Sequence, residues 1–317
     1  LRENGGETLK TIREVNEVQF DDYSYTKVTS MGNITELMTM KRTPLAPPVI
    51  KLTQDEYLDT RTGEVCEYNH GDTRADCTQS VRRSMAHIRA LVNTNVTVPE
   101  NVRWVTLTYA ENMTDTVRLY KDYEKFWKKF CYWCKKNGYS KPEYITVQEP
   151  QGRGAWHIHA FFIWQGKAPY IDNNGVMWQL WGHGFTKTKA LNDVDNIGAY
   201  FSAYLADMPL EEYEKLPANI RSSGLPVMEK EFTNEQELTK TKKFVKGGRL
   251  CLYPAGMNIV RKTKGIKLPE VERMTLEDAR KKVSSAKLTF SRSYEVVTDS
   301  GEVCNAFTKE YYNRMRK

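Results

Sequence analysis

The chain has 317 residues, 40% of them apolar and 11% aromatic, enough for a sizeable core in one large domain or two ordinary ones. Its 47 Lys and Arg against 40 Asp and Glu leave a net charge of +7, which favours an anionic partner such as nucleic acid. No window approaches the ~18 uninterrupted apolar residues of a membrane span, and the scattered cysteines do not form a secreted disulfide framework.

The start, LRENGGETLKTIREV, lacks the apolar stretch of a signal peptide and an initiator Met, so the true N-terminus is expected upstream and the location cytoplasmic. Residues 1 to about 50 are polar and end in TPLAPPVIKL, whose prolines read as an extended linker. SVRRSMAHIRALVNTN sets Val81, Met85, Ile88 and Val92 at helical spacing, which predicts a helix near 80–93 within an N-terminal extension, residues 1–98.

Residues 99–210 are the most regular part. VRWVTLTY is β-rich, and DTVRLYKDYEKFWKKFCYWCKKNG reads as a long amphipathic helix. Its stripe is Tyr120, Tyr123, Trp127, Phe130 and Cys134, and Gly138 stops it. EYITVQE and WHIHAFFIW read as two strands joined through PQGRGA. A short helix around VMWQLW, a strand GFTKTKAL and a helix DNIGAYFSAYLADM follow. The order β-α-β-β-α-β-α predicts an α+β fold, a central antiparallel sheet with helices on one face.

Charge then segregates. Residues 208–237 hold seven acids against three bases, and residues 211–239 read as an acidic connector. Residues 240–267 hold nine bases and no acid, opening a basic C-terminal region, 240–317, expected to add a strand to the core. RLCLYPAGMNIV within it reads as a hairpin turning at Pro254-Ala255-Gly256. Lys242, Lys243, Lys246 and Arg249 make this segment a candidate phosphate-binding surface, although a solvated face has the same composition.

Residues two apart in a strand share a face, so His157 and His159 project together while Trp156, Ile158, Ala160 and Phe162 point the other way. A hairpin through PQGRGA returns Glu149 to His157. Two imidazole nitrogens and a carboxylate oxygen suit a divalent ion with open positions for substrate oxygens. The bland alternative is a hydrogen-bonded histidine pair on a sheet surface. Tyr200 and Tyr204, four apart, stack on one helix face beside the apolar stripe Ile197, Phe201, Leu205 and Met208. A tyrosine can act as a covalent nucleophile, but its pKa near ~10 means that it needs a base or a metal-polarised phosphate.

Together these residues resemble the HUH (His-hydrophobic-His) superfamily of single-strand endonucleases, in particular rolling-circle replication initiators of plasmids and small phages. WVTLTY (Trp104–Tyr109) is similar to the first motif, HIHAFF (His157–Phe162) with Glu149 to the metal motif, and YFSAYLAD (Tyr200–Asp207) to the nucleophile motif. GGRLCLYPAG and RKTKGIKLP resemble segments downstream of the core in initiators of the filamentous-phage nicking type. One departure stands out: the usual Tyr-x-x-Lys has Ala203 and Asp207 at its lysine positions, so the cation is expected from Lys187, Lys189 or Arg153.

The resemblance implies a sheet of RRM-like (ferredoxin-like) topology with the metal site on the face away from the helices. It implies that Glu149, His157 and His159 hold Mg²⁺ or Mn²⁺, and that Tyr200 attacks an origin phosphate of single-stranded DNA. Tyr204 would be the alternative or second nucleophile. The products would be a 5′-phosphotyrosine and a free 3′-OH that primes a host polymerase. With no GxxxxGK[ST] loop in the chain, a host helicase is expected. An HUH relaxase or transposase would share these motifs, and a non-catalytic RRM-like binding module would need neither metal nor tyrosine. Thr106 and Thr108 share a strand face and could lie near the site. Cys131 and Cys134 read as core packing, and among the lone histidines only His183 invites a test.

Overall fold

The computed structural model of the chain describes residues 10–43, 49–53, 55–60, 63–68, 78–192, 195–221, 224–233, 239–254 and 257–316. The N-terminal part carries β1 (Lys10–Val15), β2 (Tyr25–Met31), β3 (Ile34–Met40), β4 (Val49–Lys51), β5 (Glu56–Asp59) and β6 (Val65–Glu67). Then come α1 (Thr78–Asn95), β7 (Val102–Thr108), α2 (Thr116–Lys136), β8 (Glu143–Pro150), β9 (Trp156–Ile163), α3 (Trp178–Trp181), β10 (Thr186–Ala190) and α4 (Ile197–Ala206). Next are β11 (Met208–Pro209), α5 (Leu210–Tyr213), β12 (Val227–Thr233), β13 (Thr239–Val245) and β14 (Val260–Lys262). The chain ends in β15 (Glu270–Thr275), α6 (Leu276–Val283), β16 (Lys287–Thr298) and β17 (Val303–Asn313). No helix among the described residues is long and apolar enough to cross a membrane.

The chain divides into two compact units, residues 71–268 and residues 1–70 with 269–317. This differs from the expected extensions 1–98 and 240–317. The two ends satisfy each other's backbone groups in one six-stranded antiparallel sheet, ordered β1-β16-β17-β3-β2-β15. Val28 and Leu37 on one face of that sheet are sealed by Ala279 and Val283 of α6. The prolines read as a linker fall largely outside the described residues.

In the 71–268 unit the main sheet is antiparallel, in the order β10-β7-β9-β8-β14. Asp115 caps α2, accepting from the amides of Val117 at 2.8 Å and Arg118 at 3.1 Å, and Gly138 at φ 74° ends it. The buried stripe of α2 centres on Phe126 rather than Trp127: Leu119, Tyr123, Phe126, Phe130 and Cys134 are buried, Tyr120 and Trp127 only partly. Its rings meet Phe162 and Tyr144 on the sheet face that also carries Val105, Leu107 and Ile158.

The expectation that helices cover one face is corrected here. α4 lies on the opposite face, where Phe201 meets Trp104 at 5.3 Å and Phe161 at 4.8 Å between ring centres. That face also carries Ile145 and Val147, so both sides of β8 and β9 are apolar and both need cover. α1 packs on α4, donating no charge but supplying Asn93, whose Oδ1 accepts from the Gly198 amide at 2.8 Å.

The acidic and basic runs are paired neighbours rather than connector and free surface. β12 and β13 lie antiparallel with Glu229 opposite Lys243, and their side chains approach to 3.7 Å. The hairpin expected within 249–260 is replaced by a 3₁₀ turn, Leu250–Leu252, followed by β14, which adds to the edge of β8. Ala255 and Gly256 of its expected turn lie outside the described residues.

Gly198 marks a contact without slack: a Cβ there would sit 2.5 Å from the Arg89 carbonyl and 2.6 Å from Asn93 Oδ1. Gly198→Ala is expected to destabilise this unit by about 1–3 kcal/mol through overpacking. The urea midpoint of tryptophan fluorescence measures it, because all seven tryptophans lie within residues 71–268. An unchanged midpoint would mean that α1 and α4 do not approach so closely.

Candidate metal and tyrosine site

The β8–β9 hairpin closes through Gln151–Ala155, with the Gln151 amide donating to the Ala155 carbonyl at 2.8 Å and Gly154 at φ 84°. Only a residue free of a Cβ takes that conformation readily. The register that follows sets Glu149 directly opposite His157 and Val147 opposite His159. On the other side β7 sets Thr108 opposite His157 and Thr106 opposite His159. Glu149, His157, His159, Thr106 and Thr108 therefore share one sheet face.

His159 is buried. Its Nδ1 contacts Thr106 Oγ1 at 3.2 Å and its Nε2 contacts Glu149 Oε2 at 2.5 Å, so Thr106 orients the ring with Nε2 turned into the cluster. His157 Nε2 is buried and has no hydrogen-bond partner. Burial pushes the His157 pKa down to about 4, against the upward pull of the Glu149 charge. Its imidazole is thus neutral near pH 7, with a lone pair unspent.

Burial alone would raise the Glu149 carboxyl, but the His159 hydrogen bond and the charges of His159 and Arg249 hold it below the ordinary range. Donor atoms of Glu149, His157 and His159 all lie within 4.8 Å of one another. A buried orphan nitrogen, a neutral imidazole and an ionised carboxylate on converging side chains form a set that can hold a metal ion.

Arg249 completes the cluster. Its Nη1 sits 3.0 Å from Glu149 Oε1 and donates to the Pro150 carbonyl at 3.1 Å, while Nη2 donates to the Asp207 carbonyl at 3.4 Å. Its backbone amide donates to the Ala206 carbonyl at 3.0 Å. One guanidinium therefore ties the carboxylate-bearing strand to the C-terminal end of α4, where a positive charge is favoured. The basic run suggests Arg249 as a surface phosphate contact; it is instead 9% exposed and engaged with protein. Gly247 at φ 74°, in the run Gly247-Gly248-Arg249, is the available signal that this loop turns sharply inward.

Tyr200 and Tyr204 both border Trp104, each with ring centres 6.0 Å from it, and Tyr204 lies 5.3 Å from the His159 ring. Burial, followed by the Glu149 charge, pushes the Tyr204 phenol up to about 12. Both tyrosines line a cleft of about 470 Å³ together with Glu149, His157, Gln151 and Arg249.

The other expected contacts are less uniform. Lys187 and Lys189 are exposed on β10, in register with Thr106 and Trp104, and Lys189 Nζ stands 5.8 Å above the Trp104 ring. Arg153 is exposed in the hairpin loop, with its Nε donating to Gln151 Oε1 at 3.1 Å. Lys242 and Lys246 are exposed on or next to β13, and Lys243 is shared with Glu229. His183 approaches buried Asp122 at 3.7 Å, beside Tyr109 and Trp181, away from the cleft. Cys134 is in the core and Cys131 is partly buried, both as free thiols.

No curated protein and no solved structure matches the chain. Residues 102–209, which run from the start of β7 to the end of β11, do match the sequence model of a known family. The chain carries a domain of the family described as replication-associated protein ORF2, and is a Rep-like initiator.

Proposed function

We propose that this domain nicks and rejoins single-stranded origin DNA through a tyrosine nucleophile, with Glu149, His157 and His159 holding a divalent cation, Mg²⁺ or Mn²⁺. The observation that carries the reading is the cleft in which two tyrosines of one helix face the three clustered donors. The strand order β10-β7-β9-β8, with every neighbour antiparallel and α2 linking β7 to β8, supports an RRM-like core.

A divalent cation bound there supplies Lewis-acid polarisation of a phosphate oxygen. Tyr204, nearer to His159, is the first nucleophile and Tyr200 the second, which reverses the order suggested by the motif. The phenol oxygen bonds to phosphorus and loses its proton as the bond from phosphorus to the 3′ oxygen breaks, and that oxygen takes up a proton. The phosphotyrosine keeps the energy needed for rejoining, and the free 3′-OH is a primer for a host polymerase working behind a host helicase. Arg249 supplies the cation that the nucleophile motif lacks at Ala203 and Asp207. Lys187 and Lys189 flank the cleft as phosphate contacts, with Arg153 and the β13 lysines Lys242, Lys243 and Lys246 further along.

Incubation with Mn²⁺ and a labelled single strand carrying the origin of the replicon that encodes the chain is expected to give a covalent adduct on a denaturing gel. Tyr204→Phe should abolish the adduct of first cleavage, and His157→Ala should reduce it by at least ~100-fold, the scale on which charge stabilisation acts. An adduct that survives both substitutions would sink the mechanism.

Arg249→Lys keeps the charge but loses the fork that reaches Glu149 and α4 together. Adduct formation is expected to fall roughly 10–100-fold, as for other outer partners of metal-binding carboxylates, with the tryptophan-fluorescence melt little changed. Unaltered adduct kinetics would remove Arg249 from the site.

A further inference from the structure

The six-stranded sheet of the other unit has one face sealed by α6, and among the described residues of that unit no helix covers the other. Cross-strand register puts Arg273 opposite Lys27, Lys27 opposite Met38, Met38 opposite Lys309 and Lys309 opposite Arg292. Four cations therefore stand in one row across five strands, spanning roughly 19 Å at ~4.8 Å per strand. Arg273 and Arg292 are exposed, and Lys27 and Lys309 partly so. Among the described residues Lys27, Arg273 and Lys309 take part in no ion pair, whereas Arg292 meets Glu14 at 3.1 Å.

Aromatic rings flank the row on both sides. Tyr294 and Phe307 stack at 5.1 Å, Phe290 and Tyr311 meet edge to face at 5.7 Å, and all four are at least partly exposed. Arg292 lies 5.3 Å above Phe290 and Lys309 lies 6.0 Å above Phe307, so these cations and rings project from the same face. Glu14 and Glu36 are the acids on that face among the described residues, leaving the cations in excess.

We infer that this open face is a second nucleic-acid platform, and that its ligand is single-stranded DNA. A flat row of cations matches a phosphate backbone, and partly exposed rings on either side offer stacking that paired bases cannot use. The alternation of charge and aromatic rings distinguishes it from an apolar docking face. The inference concerns a unit outside the 102–209 domain and does not depend on the nicking chemistry.

The test uses the full chain and a fluorescein-labelled dT strand of about 20 nucleotides, with anisotropy titrations over a range of salt concentrations. Lys27→Gln/Arg273→Gln/Lys309→Gln should weaken binding at least ~10-fold and reduce the salt slope by about 2, at ~0.7 per phosphate lost. Arg280→Gln/Lys281→Gln/Lys282→Gln on α6 removes the same charge from the sealed side and should leave that slope unchanged. Equal weakening by the two triples, or none by the first, would overturn the platform. Tyr294→Ala/Phe307→Ala should weaken the dT strand about tenfold while sparing a duplex of equal length; equal loss on both would overturn base stacking. An RNA strand bound tenfold more tightly than the DNA would overturn the choice of ligand. Far-UV circular dichroism of each variant should match the parent chain; the two triples and the ring pair then differ only in which surface they alter.

Discussion

A carboxylate buried as deeply as Glu149 costs several kcal/mol unless its charge is met on the spot. Here it is met twice, by the His159 ring at one oxygen and by the Arg249 guanidinium at the other. Those two contacts impose conditions on much of the unit. Glu149 and His157 must be in register, which the Gly154 turn secures. Arg249 must come in from a distant loop, which Gly247 and the β11–β13 pairing allow. The same guanidinium reaches the end of α4, so the tyrosine helix is held by the group that neutralises the carboxylate.

The tyrosines owe their position to packing on both sides of α4. Phe201 presses on Trp104, Phe161 and His159, while Gly198 lets α1 come close behind. Little rotation is left to the helix between these contacts. Tyr200 and Tyr204, off the buried stripe but next to it, are consequently turned toward the cleft rather than free in solvent. Trp104 serves as a common floor, touching both tyrosine rings and standing beneath Lys189.

Much of the site is legible in the chain because it is local. The two histidines of β9 are two apart, Glu149 is eight residues from His157 across a short glycine turn, and Tyr200 and Tyr204 are one helical turn apart. Such patterns depend only on strand and helix periodicity. The side on which α4 packs is not legible in the same way, because periodicity says that a stripe is buried, not against which face of a sheet. Apolar residues of both parities in β8 and β9 are the evidence for two covers. Arg249 escapes a local reading because its partner Glu149 lies about a hundred residues away, and composition treats every base in a basic run alike. The sheet joining β2 and β3 to β15–β17 is hidden for the same reason: threonine-bearing strands such as Tyr25–Met31 look polar until their long-range partners bury them.

Charge runs need the same distinction between composition and pairing. The base-rich segment 240–246 looks like the obvious grip for DNA, yet β13 lies beside acid-bearing β12, and opposite charges across a ladder offset each other. In the end-to-end sheet the cations are scattered along the chain from Lys27 to Lys309, and no run announces them. Register alone gathers them into one row, with acids left mostly off the face. A field that attracts a polyanion depends on where like charges converge in space, not on how densely they follow one another in sequence. A net charge of +7 therefore says little about which surface is basic, and the strand ladder decides it.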